Sequence, residues 1–552
     1  MGCYGFDRAP HYYLLSLVLK RYNFLPYMNT LKKWLTLIVM VNISLVHLTA
    51  GNSSYEYLYK DLPFSMPLLE IPQFPERSIS ITEAGGVGDG SFLNTEVFEK
   101  AINTMAAQGG GTVVVPFGVW LTGPIELQSN IRLHLDKGAL ILFTADKDAY
   151  PLIQTNFEGL STMRCQSPIS GRNLTNIAIT GEGAINGNGE VWRPLKKSKV
   201  TESHWQRVLA SGGAMKNPEF WFPSKAALKG DLLSEQNLNV PRKDMTMQEW
   251  KEIRDFLRPV MVSLVECKNV YLQGVLFENS PSWNIHPLMC ENIIIDGVFV
   301  RNPSYSQNGD GIDLESCKNA LIVNSVLDVG DDAICIKSGK DEEGRRRGRP
   351  TENVIVDNCR VFKGHGGFVV GSEMSGGVRN ISVTNCSFIG TNIGLRFKSN
   401  RGRGGVVENI YVSNVSMYNI VNEAFLFDLY YGGKTREERV PAVDETTPVF
   451  RNIFVKDIVA NGASKAMFFN GLPEMNIANI SVKNSSFTTQ KGAELSDATG
   501  VSFKSVKFYP AEGPAVMLHN VKNFTAKGLQ YDVDKTKSHT ITGDKSANII
   551  VN

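Results

Sequence analysis

One pattern recurs through most of the chain: an asparagine followed by a short strand of alternating residues. Apolar residues stand one and three positions after the asparagine, and another stands eight positions after most of them. A period of two turns such residues to one side of a strand. Asparagine occupies this anchor position ten times, and Gly500 takes the same role once: Asn176, Asn269, Asn292, Asn319, Asn353, Asn380, Asn409, Asn452, Asn479 and Asn523.

The spacing of these anchors defines a repeat. Five of the gaps between successive asparagine anchors are 23 to 29 residues long, and inserted loops explain the larger gaps. Separate small β domains would not keep one period over so long a stretch, whereas a solenoid does. The sequence therefore predicts an all-β chain that folds as a right-handed parallel β-helix.

The residues before the repeats predict a cap for the open end of the stack. Asn94 is expected to be the N-cap of a helix from Thr95 to Ala107, which Gly109 to Gly111 ends. Short strands are predicted at residues 112–116 and 131–135. The apolar residues of the helix share one face, which we expect to cover the first coil: Phe98, Ala101, Ile102 and Met105.

The N-terminus has the zones of a secretory signal. Lys32 and Lys33 precede the apolar run 34–48, which small residues follow. The run is too short to predict a membrane span, so we expect a secreted or periplasmic protein with no span in its mature form. Residues 1–51 are interpreted as a leader, with translation beginning at Met28.

The rest of the chain divides by its composition and period. Residues 52–78 are rich in proline and tyrosine and are interpreted as a linker. Residues 79–552 are interpreted as a single β-helix domain, with a partly helical insertion at about 191–259, where the repeat is weakest.

Five cysteines keep a fixed register with the anchors. Cys267, Cys290 and Cys317 lie two residues before an anchor, and Cys359 and Cys386 lie six after one. Such residues stack on successive coils roughly 4.8 Å apart. Removal of the leader leaves an odd number of cysteines, which argues against complete pairing. We therefore expect inward-facing free thiols that pack as small apolar residues.

The residues best suited to chemistry lie between Asn308 and Lys398. Asp331 and His365 each stand twelve residues after an anchor, so they are in line on neighbouring coils. Gly330 permits a turn that would let the adjacent Asp331 and Asp332 face the same cleft. The candidates follow one another at intervals of about one coil plus a loop: Asp310, Asp331 and Asp332, His365, then Arg396 and Lys398.

Three clustered carboxylates suit the hydrolysis of a glycosidic bond. One must stay protonated to donate to the leaving oxygen, and another must be ionised to take a proton from water. Arg396 and Lys398 can pair with a carboxylate on the sugar. Residues 340–405 hold twelve Lys or Arg and six Asp or Glu, which also indicates an anionic partner. A net charge of +2 does not indicate a nucleic-acid partner.

Over essentially its whole mature length the chain resembles glycoside hydrolase family 28, which contains polygalacturonases and rhamnogalacturonan hydrolases. Residues 86–90, 109–116 and 282–284 are similar to the pattern of that superfamily. The four site motifs match Asn-Thr-Asp, Asp-Asp, Gly-His-Gly and Arg-Ile-Lys. Gly309 replaces threonine and Phe397 replaces isoleucine, and neither change removes a titrating group.

The resemblance implies a pectate-lyase-like solenoid and a role for each matched residue. Asp331 would be the general acid of an inverting displacement, in which acid and base stand roughly 6.5 to 9.5 Å apart. His365 would tune that acid, and Asp310 and Asp332 would activate water. The substrate-binding residues would be Arg396, Lys398, Asn308 and either Tyr430 or Tyr431, a choice that the sequence leaves open.

The resemblance also implies a partner and a mode of action. The partner would be an acidic plant polysaccharide or oligogalacturonide, bound by a monomer without metal or cofactor. Polygalacturonate is the first candidate and rhamnogalacturonan the alternative, while a β-helix pectate lyase and a non-catalytic adhesion or glycan-binding β-helix are the alternatives of other classes.

We expect the insertion at about 191–259 to wall off one end of the cleft and make the enzyme exo-acting. Tryptophans within it and just beyond it would either stack on sugar rings or fill space beneath a long loop: Trp192, Trp205, Trp221, Trp250 and Trp283.

Overall fold

The computed structural model describes residues 55–234, 237, 239–432 and 440–552. Two compact units divide the chain, Met1–Tyr59 and Lys60–Asn552. The first is described only at residues 55–59, with a 3-10 turn at Glu56–Tyr59. The predicted leader, with its start at Met28 and its apolar run, lies outside the described residues. Among the residues that are described, no helix has the length and apolar character needed to cross a bilayer.

The second unit contains a parallel β-helix, as the repeat predicts. Each coil adds one strand to each of three sheets, and each strand pairs in parallel with its counterparts on the coils before and after it. The first sheet carries the asparagine anchors, the second follows it along each coil, and the third carries most of the predicted site residues. In the last coils, single long strands run through all three sheets: Val449–Asn470, Ile477–Ser496 and Ser502–His519.

The shorter strands have the following bounds. The first sheet contains Ser78–Ser80, Gly111–Val115, Ile131–Leu135, Thr175–Gly181, Lys268–Gln273, Glu291–Asp296, Lys318–Val323, Thr351–Asp357, Val378–Thr384, Val406–Tyr418 (which continues into the second sheet), Ala498–Thr499, Lys522–Lys527 and Ala547–Val551. The second sheet contains Gly118–Thr122, Ala139–Phe143, Ala184–Asn186, Leu276–Glu278, Phe299–Arg301, Val326–Val329, Arg360–Lys363 and Ser387–Ile389. The third sheet contains Ile125–Glu126, Ile169–Arg172, Val262–Val265, Ile285–Leu288, Ile312–Glu315, Asp332–Lys337, Gly366–Val370, Ile393–Lys398, Glu423–Asp428 and His539–Thr542.

Helices, 3-10 turns and antiparallel strands lie outside the three parallel sheets. The α-helices are Thr95–Ala107, Glu202–Ala210, Lys225–Leu232, Met247–Glu252 and Asp341–Arg347. The remaining 3-10 turns are Lys147–Ala149, Gly189–Val191, Lys197–Lys199 and Arg254–Phe256. Antiparallel pairing occurs in the hairpin of Leu152–Phe157 with Leu160–Cys165, and in a small sheet of Leu195–Lys196, Ala214–Asn217 and Phe220–Phe222.

The anchor asparagines turn the chain and bind the coils together. Each has a positive φ, between 53° and 59°, a left-handed conformation that asparagine tolerates better than most residues. The amide of Asn292 donates to Oδ1 of Asn269 at 3.0 Å, and that of Asn319 donates to Oδ1 of Asn292 at 3.2 Å. The same contact links further neighbouring anchors from Asn176 to Asn409. The repeated asparagine therefore marks a turn on each coil whose side chain can hydrogen-bond to the asparagine of the neighbouring coil.

The interior of the coils is apolar and continuous. The predicted inward positions form one core cluster, and the helix Thr95–Ala107 covers its first coil with the four apolar residues expected of it. Asn94 precedes the helix without capping it, because its side chain bonds to Val87 instead. Every cysteine from Cys165 to Cys386 is buried and free, which confirms the expectation for the five stacked thiols.

An extended segment crosses the outer face of the first sheet. The Phe64 ring lies 6.2 Å from that of Tyr411, and Phe74 lies 5.9 Å from the Arg132 guanidinium. Seven coil steps separate Arg132 from Tyr411, or about 34 Å, which ten extended residues just span. Outward-facing apolar residues along this column are nevertheless buried, as a covering segment requires: Ile294, Leu321 and Ile355.

The tryptophans in and beside the insertion serve packing. Trp192 meets Tyr150 edge to face at 5.2 Å, and Trp283 stacks on Phe157 at the same distance. All five are at most 8% exposed, so the expectation that they stack on sugar rings at the surface is wrong and the packing interpretation is confirmed. Large rings supply the apolar contacts that an insertion outside the solenoid core needs.

Candidate functional site

The predicted site residues meet at one edge of the third sheet. Asp310 precedes the strand Ile312–Glu315, Asp332 begins the next strand, and His365 precedes the one after that. Asp332 pairs in register with Gly366, which places Asp331 and His365 side by side on adjacent coils. The sequence prediction that these residues share a surface is therefore confirmed for the three carboxylates and the imidazole.

Asp331 and His365 form a close pair that reaches solvent. Nδ1 of His365 lies 2.8 Å from Oδ1 of Asp331, and the two side chains are 32% and 16% exposed. Burial raises the pKa of Asp331, but the hydrogen bond and charge of His365 outweigh it, and the pKa lies below its ordinary value. A separation of 2.8 Å is that of a hydrogen bond between the imidazole and the carboxylate.

Asp332 is held by two cations. Its Oδ1 lies 2.8 Å from a guanidinium nitrogen of Arg396, and its Oδ2 lies 2.6 Å from Nζ of Lys398. The carboxylate is only 1% exposed, and burial alone would raise its pKa. Lys398 and Arg396 lower the pKa of Asp332 far below its usual range, so this carboxylate is ionised. The two cations project to the same side, as their spacing predicts.

Asp310 is the carboxyl group with the highest proton affinity of the three. Burial raises its pKa well above the ordinary value, and the charges of Asp313 and Asp331 raise it further. Asp310, Asp331 and Asp332 each offer an oxygen within 4.8 Å of the others. Asp331 and Asp332 thus face one site, as the predicted turn at Gly330 allows. These oxygens lie closer together than the roughly 6.5 to 9.5 Å expected between acid and base.

The glycine at position 309 has a local cause. A Cβ atom built on Gly309 would stand 1.8 Å from Oγ of Ser306, and one built on Gly330 would stand 2.3 Å from the same oxygen. Both glycines therefore let the loop ending at Asp310 pack against the turn before Asp331. A threonine at position 309 would therefore meet the side chain of Ser306.

The structure separates the remaining substrate-binding candidates. The Tyr431 ring centre lies 5.0 Å from Nζ of Lys398 and 5.7 Å from the Arg396 guanidinium carbon, so Tyr431 is the tyrosine beside the site. Tyr430 is buried and lies under Arg401 instead. Asn308 adjoins Asp310, and its side-chain oxygen accepts a hydrogen bond from Arg258 at 3.0 Å.

Two polar features at the site escape sequence reasoning. Lys199 comes from a 3-10 turn of the insertion, and burial lowers its pKa while the charges of Asp331 and Asp310 oppose that shift. Lys337 lies 3.4 Å from Asp313 and 3.2 Å from Glu373. Asp313 could have been added to the candidates from the sequence, because it stands three residues after Asp310 and extends the acidic motif. Nothing in the repeat could have placed Lys199.

A triplet of carboxylates also has the spacing of a divalent cation site. Here two of the three carboxylates already have partners, since Arg396 and Lys398 hold Asp332 and His365 lies against Asp331. A metal ion would have to displace or repel those groups. The residue set therefore fits proton transfer beside a bound anion better than it fits calcium, which prefers a shell of uncommitted oxygens.

Comparisons with known proteins identify the family. Residues 251–508 match the model of glycosyl hydrolases family 28. A probable polygalacturonase of Vitis vinifera is 29% identical over 475 residues, or 83% of this chain and 85% of that protein. An exo-poly-alpha-D-galacturonosidase of Dickeya chrysanthemi is 27% identical over 447 residues, or 78% of this chain and 71% of that protein.

A solved structure extends the likeness to three dimensions. The crystal structure of a hyperthermoactive exopolygalacturonase from Thermotoga maritima superimposes with a TM-score of 0.67 and 32% identity, covering 80% of this chain and 94% of that one. The family model, which matches residues 251–508, spans the three carboxylates. The chain therefore belongs to glycoside hydrolase family 28 and is a glycoside hydrolase.

Proposed function

We propose that this enzyme hydrolyses galacturonate-containing glycosidic bonds in pectin, with polygalacturonate as its main substrate. The observation that carries the proposal is a close pair, Asp331 and His365, beside a carboxylate, Asp332, that Arg396 and Lys398 hold. Relatives named as polygalacturonases support the same substrate.

Asp331 is the proposed general acid. It is the most exposed of the three carboxylates, so it can reach the glycosidic oxygen, and His365 at 2.8 Å can return a proton after transfer. The hydrogen bond and charge of His365 lower the pKa of Asp331 against its burial, so this carboxyl must gain a proton before it acts as the acid. When that proton moves to Asp331, the neutral imidazole accepts a hydrogen bond from it, and the acid is ready.

Asp310 and Asp332 are proposed to hold and activate water. A water molecule with two hydrogen bonds of about 2.8 Å bridges oxygens up to about 5 Å apart, which matches the spacing of the triad. The raised pKa of Asp310 makes it the stronger proton acceptor once it is ionised. Asp332 supplies a fixed negative charge beside the water.

Inversion of configuration is proposed although the carboxylates are closer together than is usual for inverting enzymes. Both oxygens of Asp332 are tied to cations and the group is almost fully buried, which leaves it poorly placed to attack carbon. Water held between Asp310 and Asp332 is then the remaining nucleophile. Proton NMR of the first product released would show a change of anomeric configuration, and retention would overturn this step.

Arg396 and Lys398 are proposed to hold the carboxylate of the sugar beside the scissile bond. Tyr431 lies within 5.7 Å of both cations and offers a ring face to the same sugar. Arginine suits a bidentate contact and lysine a point contact with a carboxylate. This arrangement favours galacturonate over its neutral counterpart.

Exo-action is proposed because the groove is covered toward the N-terminal coils. The hairpin at residues 152–165 reaches the helix Asp341–Arg347, where the Ser161 amide donates to Glu343 at 2.8 Å. Beneath it, outward-facing groups of the third sheet are buried, among them His286, Asp313 and Glu315. The relatives named for exo activity support the same mode.

A timed digest, run both without and with EDTA, tests substrate and mode together. Saturated galacturonate monomers or dimers from polygalacturonate as the first products would support the proposal. Early oligomers of medium length would mean endo cleavage, and products from rhamnogalacturonan alone would move the specificity. Unsaturated products that absorb ultraviolet light and disappear with EDTA would identify a lyase, and lack of any product would favour a binding protein.

Export is proposed from the leader pattern at residues 1–51, and a monomeric state from the predicted single domain. N-terminal sequencing of the mature protein tests the first, and a chain still starting near Met1 would contradict it. Light scattering of the purified protein tests the second, and a mass of twice the chain would contradict it.

A further inference from the structure

A second depression lies beside the catalytic residues, on the outer side of the second sheet. It has a volume of about 650 Å³ and is named here the second-sheet pocket. Three of its lining residues stand two or three positions before site residues in the chain: Tyr305 before Asn308, Asp328 before Asp331 and Lys363 before His365. A ligand in this pocket would therefore lie next to a substrate in the catalytic cleft.

The floor of the second-sheet pocket is a ladder of polar side chains. Asn186, Glu278, Arg301 and Asp328 pair in register on four successive coils. With coils about 4.8 Å apart, the ladder is about 14 Å long. It presents donors and acceptors in a row, on strands that cannot shift independently, and so offers a linear, rigid surface to a short oligosaccharide.

Hydrogen bonds hold the pocket's polar groups in place before any ligand arrives. The Asn186 amide donates to Glu278 at 3.0 Å, and Nε of Arg301 donates to the same carboxylate at 3.1 Å. Arg193, from the start of the insertion, is 4% exposed and donates to Oδ1 of Asn279 at 2.7 Å. Groups fixed in this way bind a ligand without a further loss of side-chain entropy.

The acidic and basic groups of the second-sheet pocket balance. Its three acidic groups are matched by three basic groups: Glu190, Glu278 and Asp328 with Arg193, Arg301 and Lys363. Asn186, Asn279 and Asn302 add amides that donate and accept. An uncharged sugar can use such a mixed surface, whereas a sugar carboxylate would meet the acids as well as the bases.

Aromatic rings flank this polar floor. Tyr305 lines the second-sheet pocket and is half-buried against His204, with ring centres 4.9 Å apart. Phe362 follows Asp328 in the ladder, on the next coil, and is 37% exposed. Rings beside hydroxyl-binding groups suit the apolar faces of sugars.

We propose that the second-sheet pocket binds an uncharged, hydroxyl-rich sugar of a branched pectic polysaccharide while a neighbouring galacturonate occupies the catalytic site. The inference rests on the proposed function for its polysaccharide, but its binding surface is separate from Arg396 and Lys398. It adds a contact for a neutral branch to the galacturonate backbone that the catalytic site cleaves.

Binding to an inactive protein tests the inference directly. The Asp331→Asn protein would be titrated by calorimetry with a neutral galactan trisaccharide, a neutral arabinan trisaccharide and trigalacturonate. We expect at least one neutral trisaccharide to bind, and Asp328→Phe, which fills the floor, to weaken that binding at least about tenfold. Asp328→Ala gives a second variant, and Asp544→Ala, on an exposed loop away from the pocket, is the matched control.

Lack of binding by both neutral trisaccharides at millimolar concentration, or neutral binding unchanged by Asp328→Phe and Asp328→Ala, would overturn the inference. Neutral binding that trigalacturonate abolishes by competition would also overturn it, because the two ligands should bind side by side. Failure of the wild-type protein to cleave polygalacturonate would remove the proposed function and leave a binding result intact.

Discussion

Nδ1 of His365 lies 2.8 Å from Oδ1 of Asp331, on the coil directly after it. The contact depends on the period of the solenoid, because both residues stand twelve positions after an anchor asparagine. Of the three carboxylates at the site, Asp331 is the one paired with an imidazole. This relation makes Asp331 the point at which the mechanism is most sensitive to substitution.

Asp331→Asn should lower kcat by about 10²- to 10⁴-fold, because the amide cannot donate the proton that the leaving oxygen requires. KM should change little, since Arg396 and Lys398 still hold the substrate. Steady-state kinetics on polygalacturonate, with a melting curve to confirm folding, measures both quantities. Asp544→Asn, on an exposed loop, is the matched control; a kcat for Asp331→Asn equal to that of the control would remove Asp331 from the mechanism.

The pH profile should report the raised pKa of Asp310. Asp310 must be ionised to accept a proton from water, so kcat/KM should fall as the pH drops through its pKa. That acidic limb should lie above the ordinary aspartate value of about 3.9. Asp310→Asn should lower the rate and flatten the limb. An acidic limb that persists unchanged in this variant would assign the titration to another group.

Lys398→Met should weaken the preference for a free sugar carboxylate. A charge-assisted hydrogen bond is worth about 1.5–3 kcal/mol, which corresponds to about 10- to 150-fold in kcat/KM. The loss should be larger on polygalacturonate than on its methyl ester, because the ester lacks the charge that Lys398 holds. The substitution also removes a cation from Asp332, which should lower the rate on both substrates alike. The ratio of the two losses therefore isolates the contact with the sugar carboxylate. Lys504→Met, at an exposed position, is the control, and equal losses on both substrates would contradict the binding role.

The seven cysteines from Cys165 to Cys386 should remain unreactive in the folded protein and react fully after unfolding. Burial raises the pKa of the Cys165 thiol to about 12, and Cys290 and Cys335 shift in the same direction, so few thiolates form at neutral pH. Thiol titration before and after denaturation without reductant measures this. Recovery of one thiol or none from the unfolded protein would show disulfides.

Periodic features could be predicted from the sequence, and contacts made by unique segments could not. The anchors, the stacked thiols and the order of the site residues all depend on neighbouring coils, whose register the repeat itself determines. The helix Thr95–Ala107 was predictable because its apolar face and terminal glycines are local signals. The same logic placed Asp331 beside His365.

The features that the sequence did not predict lie in or beside segments that are not part of the repeat. The course of residues 64–74 over the first sheet, the hairpin at 152–165 and the position of Lys199 depend on long-range packing that no local pattern encodes. The choice of Tyr431 over Tyr430 depends on where the chain turns after Asp428. The close spacing of the carboxylates reflects loop packing at Gly309 and Gly330, which composition alone does not reveal.

The most direct test is a digest of polygalacturonate by the purified protein, alongside Asp331→Asn, with products identified by mass spectrometry and ultraviolet absorbance. We predict saturated galacturonate products from the wild-type protein and their near-complete loss in the variant. Saturated products released equally by both proteins, or unsaturated products from the wild-type protein, would contradict hydrolysis through Asp331.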